Sequence, residues 1–201
     1  MNYDMMRRRG SRKRKMMMKI AVDVDGVLAD IISVWLTYYN ERHDSSLSKE
    51  QIQRWDFWKS IGYSAERFYS ELATCWKEWH KVPVMEDGIA NSIATLRSLG
   101  KVDIVSAQMA KDYVKMWLDH NKIIYDDYVS VTRGVDKADL AYDAFIDDSP
   151  INAERISSMG KLVLLYDQPW NRYLEDGRYI VRVKSMDEVR KVLIDRFVSK
   201  L

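Results

Sequence analysis

KIAVDVDGVLAD, residues 19–30, begins as an apolar run of the kind that becomes a buried strand and then turns to carboxylates, Asp23 and Asp25. Two aspartates one residue apart on an extended chain point to the same side, so each raises the other's cost of ionising. A divalent cation is the simplest compensation. The run therefore predicts a first strand over roughly residues 19–25 with an acidic end that calls for a metal.

Outward from this strand the pattern alternates. A helical stretch, IISVWLTYYNERH, starts at about residue 31. From Leu47 to Val82 the sequence reads as aromatic-rich helices, SKEQIQRWDFWKSIG and SAERFYSELATCWKEWHKV. Each opens with a serine suited to capping and a Glu at or near the third helical position. Five of the seven tryptophans lie between Trp35 and Trp79. Core packing is the ordinary use of such rings, but their concentration in one insert predicts a helical cap over residues 31–82 with an apolar inner face. After Pro83, GIANSIATLRSLG reads as an amphipathic helix stopped by Gly100, KVDIVSA as a strand and KDYVKMWLDHN as a helix. DAFIDDSP, KLVLLYD and RYIVRVKS are strand-like. Strands alternating with helices predict an α/β fold around a parallel sheet, built from residues 19–30 and 83–201.

Composition narrows the function classes. At 201 residues and 47% hydrophobic content the chain suits one domain with an inserted subdomain. The single Cys75 excludes an internal disulfide and a cysteine-based zinc site. The first eighteen residues, MNYDMMRRRGSRKRKMMM, lack the apolar stretch of about 7–15 residues that a secretory signal needs. No later run approaches the roughly 18 apolar residues of a membrane span, so a cytoplasmic protein without membrane contact is expected. The formal charge of +2 hides an asymmetry, because residues 1–18 carry net +6 and leave −4 for the body. That basic tail admits two readings, a nucleic-acid or localisation patch and a solvated, disordered extension preceding a start near Met16–Met18.

In a parallel α/β sheet, ligands bind beyond the carboxyl ends of the strands. Asp23 and Asp25 after the first strand, Ser106 after KVDIV, and Asp147 with Asp148 after AFI all fall there, and Lys137 precedes the last of these strands. Singly, each has an ordinary role: aspartates before Ser149-Pro150 as turn or cap, Ser106 as a cap, Lys137 as a surface lysine. Together they place carboxylates, a hydroxyl and a cation on one edge. Mg²⁺ prefers oxygen ligands and is usually held by one or two carboxylates and a substrate phosphate, so the cluster reads as a magnesium site. His43, His80 and His120 lack metal-ligand spacing. Gly26 suits a tight turn exposing the preceding carbonyl.

DVDGV, Ser106, Lys137 and IDDSP, in that order and with an insert after the first motif, resemble the haloacid dehalogenase superfamily of phosphohydrolases. VDVDGVLAD, the Trp-rich insert with RWDFW, IDDSP and DQPWN are further similar to the 5′(3′)-deoxyribonucleotidase family, across roughly residues 19–195. The second motif departs from a Thr-rich version, with SAQ in its place. The resemblance implies a Rossmann-like three-layer parallel sheet with a small helical cap inserted after the first strand. It also implies a Mg²⁺-dependent phosphomonoesterase working through an aspartyl-phosphate. Asp23 would be the nucleophile and Asp25 the general acid and base, a residue whose presence favours phosphoryl transfer over dehalogenation. Asp23, the Asp25 carbonyl and Asp148, with Asp147 as the alternative acidic ligand, would hold the metal, while Ser106 and Lys137 would bind the phosphate. The implied substrate is a small phosphate ester, a (deoxy)nucleoside monophosphate in the first instance and a non-nucleotide ester in the second.

Overall fold

The apolar runs become strands because both of their faces are covered, as continuous rather than alternating hydrophobicity requires. In the computed structural model, which describes residues 17–199, six strands form one parallel sheet. They are β1 (Met18–Val22), β2 (Gly100–Ser106), β3 (Asp127–Ser130), β4 (Ala144–Asp147), β5 (Leu162–Tyr166) and β6 (Ile180–Val183), in the order β3-β2-β1-β4-β5-β6. Ile20, Val22, Ile104, Ile146 and Leu164 pack on one face with α3 (Ile89–Arg97), α4 (Lys111–His120) and α6 (Met186–Leu193). Ala21, Val105, Phe145, Val163 and Leu165 pack on the other with α5 (Pro150–Ser158). The result is the three-layer α/β architecture expected, and its strand order reverses at β1, where such sheets bind ligands.

Register brings the strand tips together. Val22 pairs with both Ile104 and Ile146, and the Asp23 amide donates to the Ile146 carbonyl at 2.9 Å. Asp23, Ser106 and Asp147 therefore end up side by side.

Several local expectations are corrected. β1 runs from Met18 to Val22 rather than over 19–25, because the chain turns at once: the Val24 carbonyl accepts the Leu28 and Ala29 amides, each at 2.9 Å. Met18 is buried in that strand, so the expected tail ends before it, and residues 1–16 lie outside the described residues. Gly100 does not stop α3; it begins β2, where a Cβ would collide with the Met18 carbonyl. β3, a short and half-exposed edge strand, carries no apolar run and was not expected.

Between β1 and β2, α1 (Ile31–His43) starts on an Asp30 cap whose carboxylate accepts from the Ser33 amide at 3.3 Å. α2 (Ala65–Cys75) starts on Ser64 as anticipated. The stretch read as a helix between them is instead two single 3₁₀ turns, Lys49–Gln51 and Phe57–Lys59. Of its apolar residues, Ile52 and Trp58 are buried while Trp55 and Ile61 are partly buried, so the segment is held by packing rather than by a helical repeat. A further 3₁₀ segment, Trp76–Lys81, follows α2. One cluster of buried side chains runs unbroken from the sheet into this region, through Trp35, Trp58, Phe68 and Trp76. Among the described residues no helix is long and apolar enough to cross a membrane.

Candidate active site

Beyond the tips of β1, β2 and β4 lies a cavity of about 470 Å³. Its floor carries Asp23, Asp25, Ser106, Lys137 and Asp148. Its roof is aromatic, with Trp55, Phe57, Trp58, Phe68 and Tyr69.

Lys137, placed by the 3₁₀ segment Gly134–Asp139, has a side chain only 2% exposed and lies between two carboxylates. Its ammonium is 2.7 Å from Asp23 Oδ2 and 2.7 Å from Asp147 Oδ2. Burial works against its charge, but Asp147 and Asp23 outweigh it and raise its pKa above the usual lysine value. Asp147 also accepts the Ser149 amide at 2.9 Å and the Asn152 side-chain amide at 3.1 and 3.2 Å. Both of its oxygens are thus engaged. Helix capping falls to Ser149, whose hydroxyl accepts the Asn152 amide ahead of Pro150 in the first turn, and not to either aspartate.

Asp148 faces a different set of groups. Its Oδ2 accepts the Trp170 indole N–H at 3.1 Å, and its carbonyl accepts Asn171 Nδ2 at 2.8 Å. Gly26, at φ 75°, passes so close that a Cβ there would collide with the Asp148 carboxylate. Gly26 is thus required twice, for its positive φ and for that close approach, and its carbonyl accepts Gln168 Nε2 at 2.7 Å.

One carboxylate oxygen from each of Asp23, Asp147 and Asp148 lies within 4.8 Å of the others. Asp25 stands apart from these three. Its Oδ1 accepts the Trp76 indole N–H at 3.1 Å and its Oδ2 accepts Gln108 Nε2 at 2.8 Å. Burial pushes Asp25 up to about 6, against the hydrogen bonds from Gln108 and Trp76. Burial likewise pushes Asp23 up to about 7, opposed by Lys137 and helped by Asp147 and Asp25. Asp148 is raised well above the carboxylate range by burial and then by Asp147 and Asp23. Four carboxylates, two of them buried and two partly buried, against one lysine make an excess of negative charge. An all-oxygen donor set with that excess fits a hard divalent cation.

All six residues expected from the sequence therefore meet at one edge, Asp147 behind the lysine and the other five on the cavity. Ser106 ends β2, and its hydroxyl accepts the Gln108 amide at 3.1 Å. The sequence pointed to no site role for Trp76, Gln108, Asn152, Gln168, Trp170 or Asn171, and to core packing alone for Trp76. Two motifs quoted for the family resemblance held some of them, SAQ for Gln108 and DQPWN for Gln168, Trp170 and Asn171; nothing local marks Trp76.

Known proteins resemble this chain in sequence and in fold. The 5′(3′)-deoxyribonucleotidase of Bacillus subtilis is 26% identical over 185 residues, covering 87% of this chain and 98% of that protein. A Halalkalibacterium halodurans protein described as a candidate nucleotidase is 24% identical over 201 residues, covering 94% of this chain and 97% of its own. Among solved structures, a haloacid dehalogenase-like hydrolase from Streptococcus pneumoniae superposes with a TM-score of 0.59 at 14% identity, covering 88% of this chain and 98% of that one. Residues 15–200 match the family described as 5′ nucleotidase, deoxy (pyrimidine), cytosolic type C, and the chain belongs to that family.

Proposed function

We propose that the protein is a Mg²⁺-dependent phosphomonoesterase that dephosphorylates (deoxy)nucleoside monophosphates through an aspartyl-phosphate at Asp23. The observation that carries this reading is the pairing of Asp23 with Lys137 at 2.7 Å, at the tip of β1 and beneath an aromatic roof. A carboxylate there can attack phosphorus, splitting one difficult displacement into two easier ones.

In the first transfer, an Asp23 oxygen bonds to phosphorus, the ester P–O bond breaks, and Asp25 gives its proton to the departing oxygen. In the second, water attacks the phosphoryl group, the bond to Asp23 breaks, and Asp25 takes the proton from water. Lys137 and Ser106 bind the non-bridging phosphate oxygens, and Lys137 keeps Asp23 oriented. Mg²⁺, when bound, would be held by Asp23, Asp148 and the Asp25 carbonyl and would supply charge compensation between carboxylate and phosphate. Asp147 holds Lys137 in place. Residues 31–82 act as a cap whose rings exclude water and present a face to the base.

A panel of nucleoside monophosphates and sugar phosphates, assayed with Mg²⁺ and with a chelator, tests the proposal. Metal-dependent turnover highest on nucleotides is the expected result. Turnover highest on a non-nucleotide ester would overturn the substrate assignment, and metal-independent or absent turnover would overturn the mechanism.

A further inference from the structure

Asp25 sits in the turn that follows β1 and has to hold one direction while a proton passes to or from it. We propose that Trp76 and Gln108 are positioning residues that clamp the Asp25 carboxylate for both proton transfers. The inference rests on the role given to Asp25 above and assigns two residues to that role.

The indole N–H of Trp76 takes Oδ1 at 3.1 Å and the amide of Gln108 takes Oδ2 at 2.8 Å, so each oxygen has one donor. The donors come from positions 51 and 83 residues away, Trp76 from the segment after α2 and Gln108 from the loop after β2. Trp76 is fully buried, and its ring meets Trp117 edge-on at 6.0 Å. Trp117 is fixed in turn, since its indole N–H donates to the Val82 carbonyl at 2.8 Å. A carboxyl group has about four lone-pair sites. Two external donors leave one site on each oxygen, enough for the transferred proton. The clamp therefore persists whether Asp25 is neutral, before it protonates the leaving oxygen, or ionised, before it accepts from water. Because Trp76 belongs to residues 31–82, Asp25 is correctly aimed only while that segment is seated on the sheet.

Leaving-group dependence tests this separately from stability. The substrate is the ester that wild type turns over fastest in the panel above, paired with its counterpart carrying sulfur as the bridging atom, whose thiolate leaves without needing a proton. The readout is kcat/KM, which is set by the first transfer alone. In Trp76→Phe and in Gln108→Met, each lacking the N–H donor, the oxygen-to-sulfur ratio of kcat/KM is expected to fall at least about tenfold below wild type, as general acid catalysis is typically worth about 10²–10⁴-fold. Should Trp76→Phe fail to fold, Gln108→Met alone decides. Equal losses on both esters would overturn the inference and leave the phosphatase reading intact. A wild type that hydrolyses no ester would remove that reading and this inference with it.

Discussion

The floor and the roof of the cavity are made of opposite materials. The floor is charge held by fixed partners: Lys137 between Asp23 and Asp147, Trp170 on Asp148, Trp76 and Gln108 on Asp25. The roof is rings packed on rings. Trp58 stacks on Phe68 with centroids 4.8 Å apart, and Phe57 meets Phe68 edge-on at 5.1 Å. Electrostatics in a buried site depends on which atom faces which, so one substitution in the floor has a large and specific effect. Ring packing is distributed and tolerant, so a substitution in the roof costs less and spreads over stability and binding.

The largest effect should come from Asp23→Asn. An amide of the same shape cannot act as the nucleophile, so turnover should fall by several orders of magnitude while the fold survives. Turnover near the wild-type rate in the purified variant would break the floor's side of the comparison and end the covalent mechanism.

Next in size is Lys137→Met, which leaves Asp23 and Asp147 facing each other without their shared cation. Removing one partner of a buried ion pair costs about 3–5 kcal/mol, so the variant should be both inactive and markedly less stable to urea, with Mg²⁺ restoring part of the loss. Unchanged stability in chelator would show that the lysine is not what holds these carboxylates together.

The same contrast explains what could be read in advance. The carboxylates of the floor lie next to strand ends, and a strand end is visible as an apolar run that turns abruptly polar, as in VDVDG and FIDDSP. Chemistry also restricts them to a few residue types. In the roof, the stretch from Ser48 to Gly62 carries good capping signals and many apolar residues, yet it forms two 3₁₀ turns. Ser48 does stand at the start of the first turn, but nothing in the pattern marks where that turn ends at Ile52. β3 was illegible for a related reason: a short edge strand that stays half-exposed needs no hydrophobic run, and DYVS has none. The donors to Asp25 could not be found locally, because an N–H that reaches a carboxylate from 51 or 83 residues away is a property of the fold.

Within the floor, Asp147 and Asp148, adjacent in the sequence, meet different partners. Both Asp147 oxygens are engaged by Lys137, Asn152 and the Ser149 amide, whereas Asp148 is bound at Oδ2 by Trp170. Asp148→Ala should therefore raise the Mg²⁺ concentration for half-maximal activity by at least about ten- to hundredfold, the range seen for groups that merely support a ligand. Asp147→Ala should act through Lys137, lowering kcat and stability with a smaller change in metal requirement. A titration in which Asp147→Ala shows the greater metal requirement would exchange the two assignments.

The smallest effect is expected in the roof, and it separates packing from recognition ring by ring. Trp58 is 6% exposed and packs against both Phe68 and Tyr69, so it serves mainly as core. Trp55 is half-buried, touches Trp58 edge-on at 6.3 Å and leaves a face on the cavity. A base stacked on an aromatic ring gains about 1–3 kcal/mol, roughly ten- to a hundredfold in affinity at about 1.4 kcal/mol per tenfold. Trp55→Ala should therefore lower kcat/KM for a nucleoside monophosphate by about that factor, while a small phosphate ester without a base loses little and the melting temperature barely moves. Trp58→Ala should instead lower the melting temperature and penalise both esters alike, as removal of a core ring does. Equal losses on both esters for Trp55→Ala, with a fall in melting temperature, would make the whole roof a packing device and place base recognition elsewhere in the cavity.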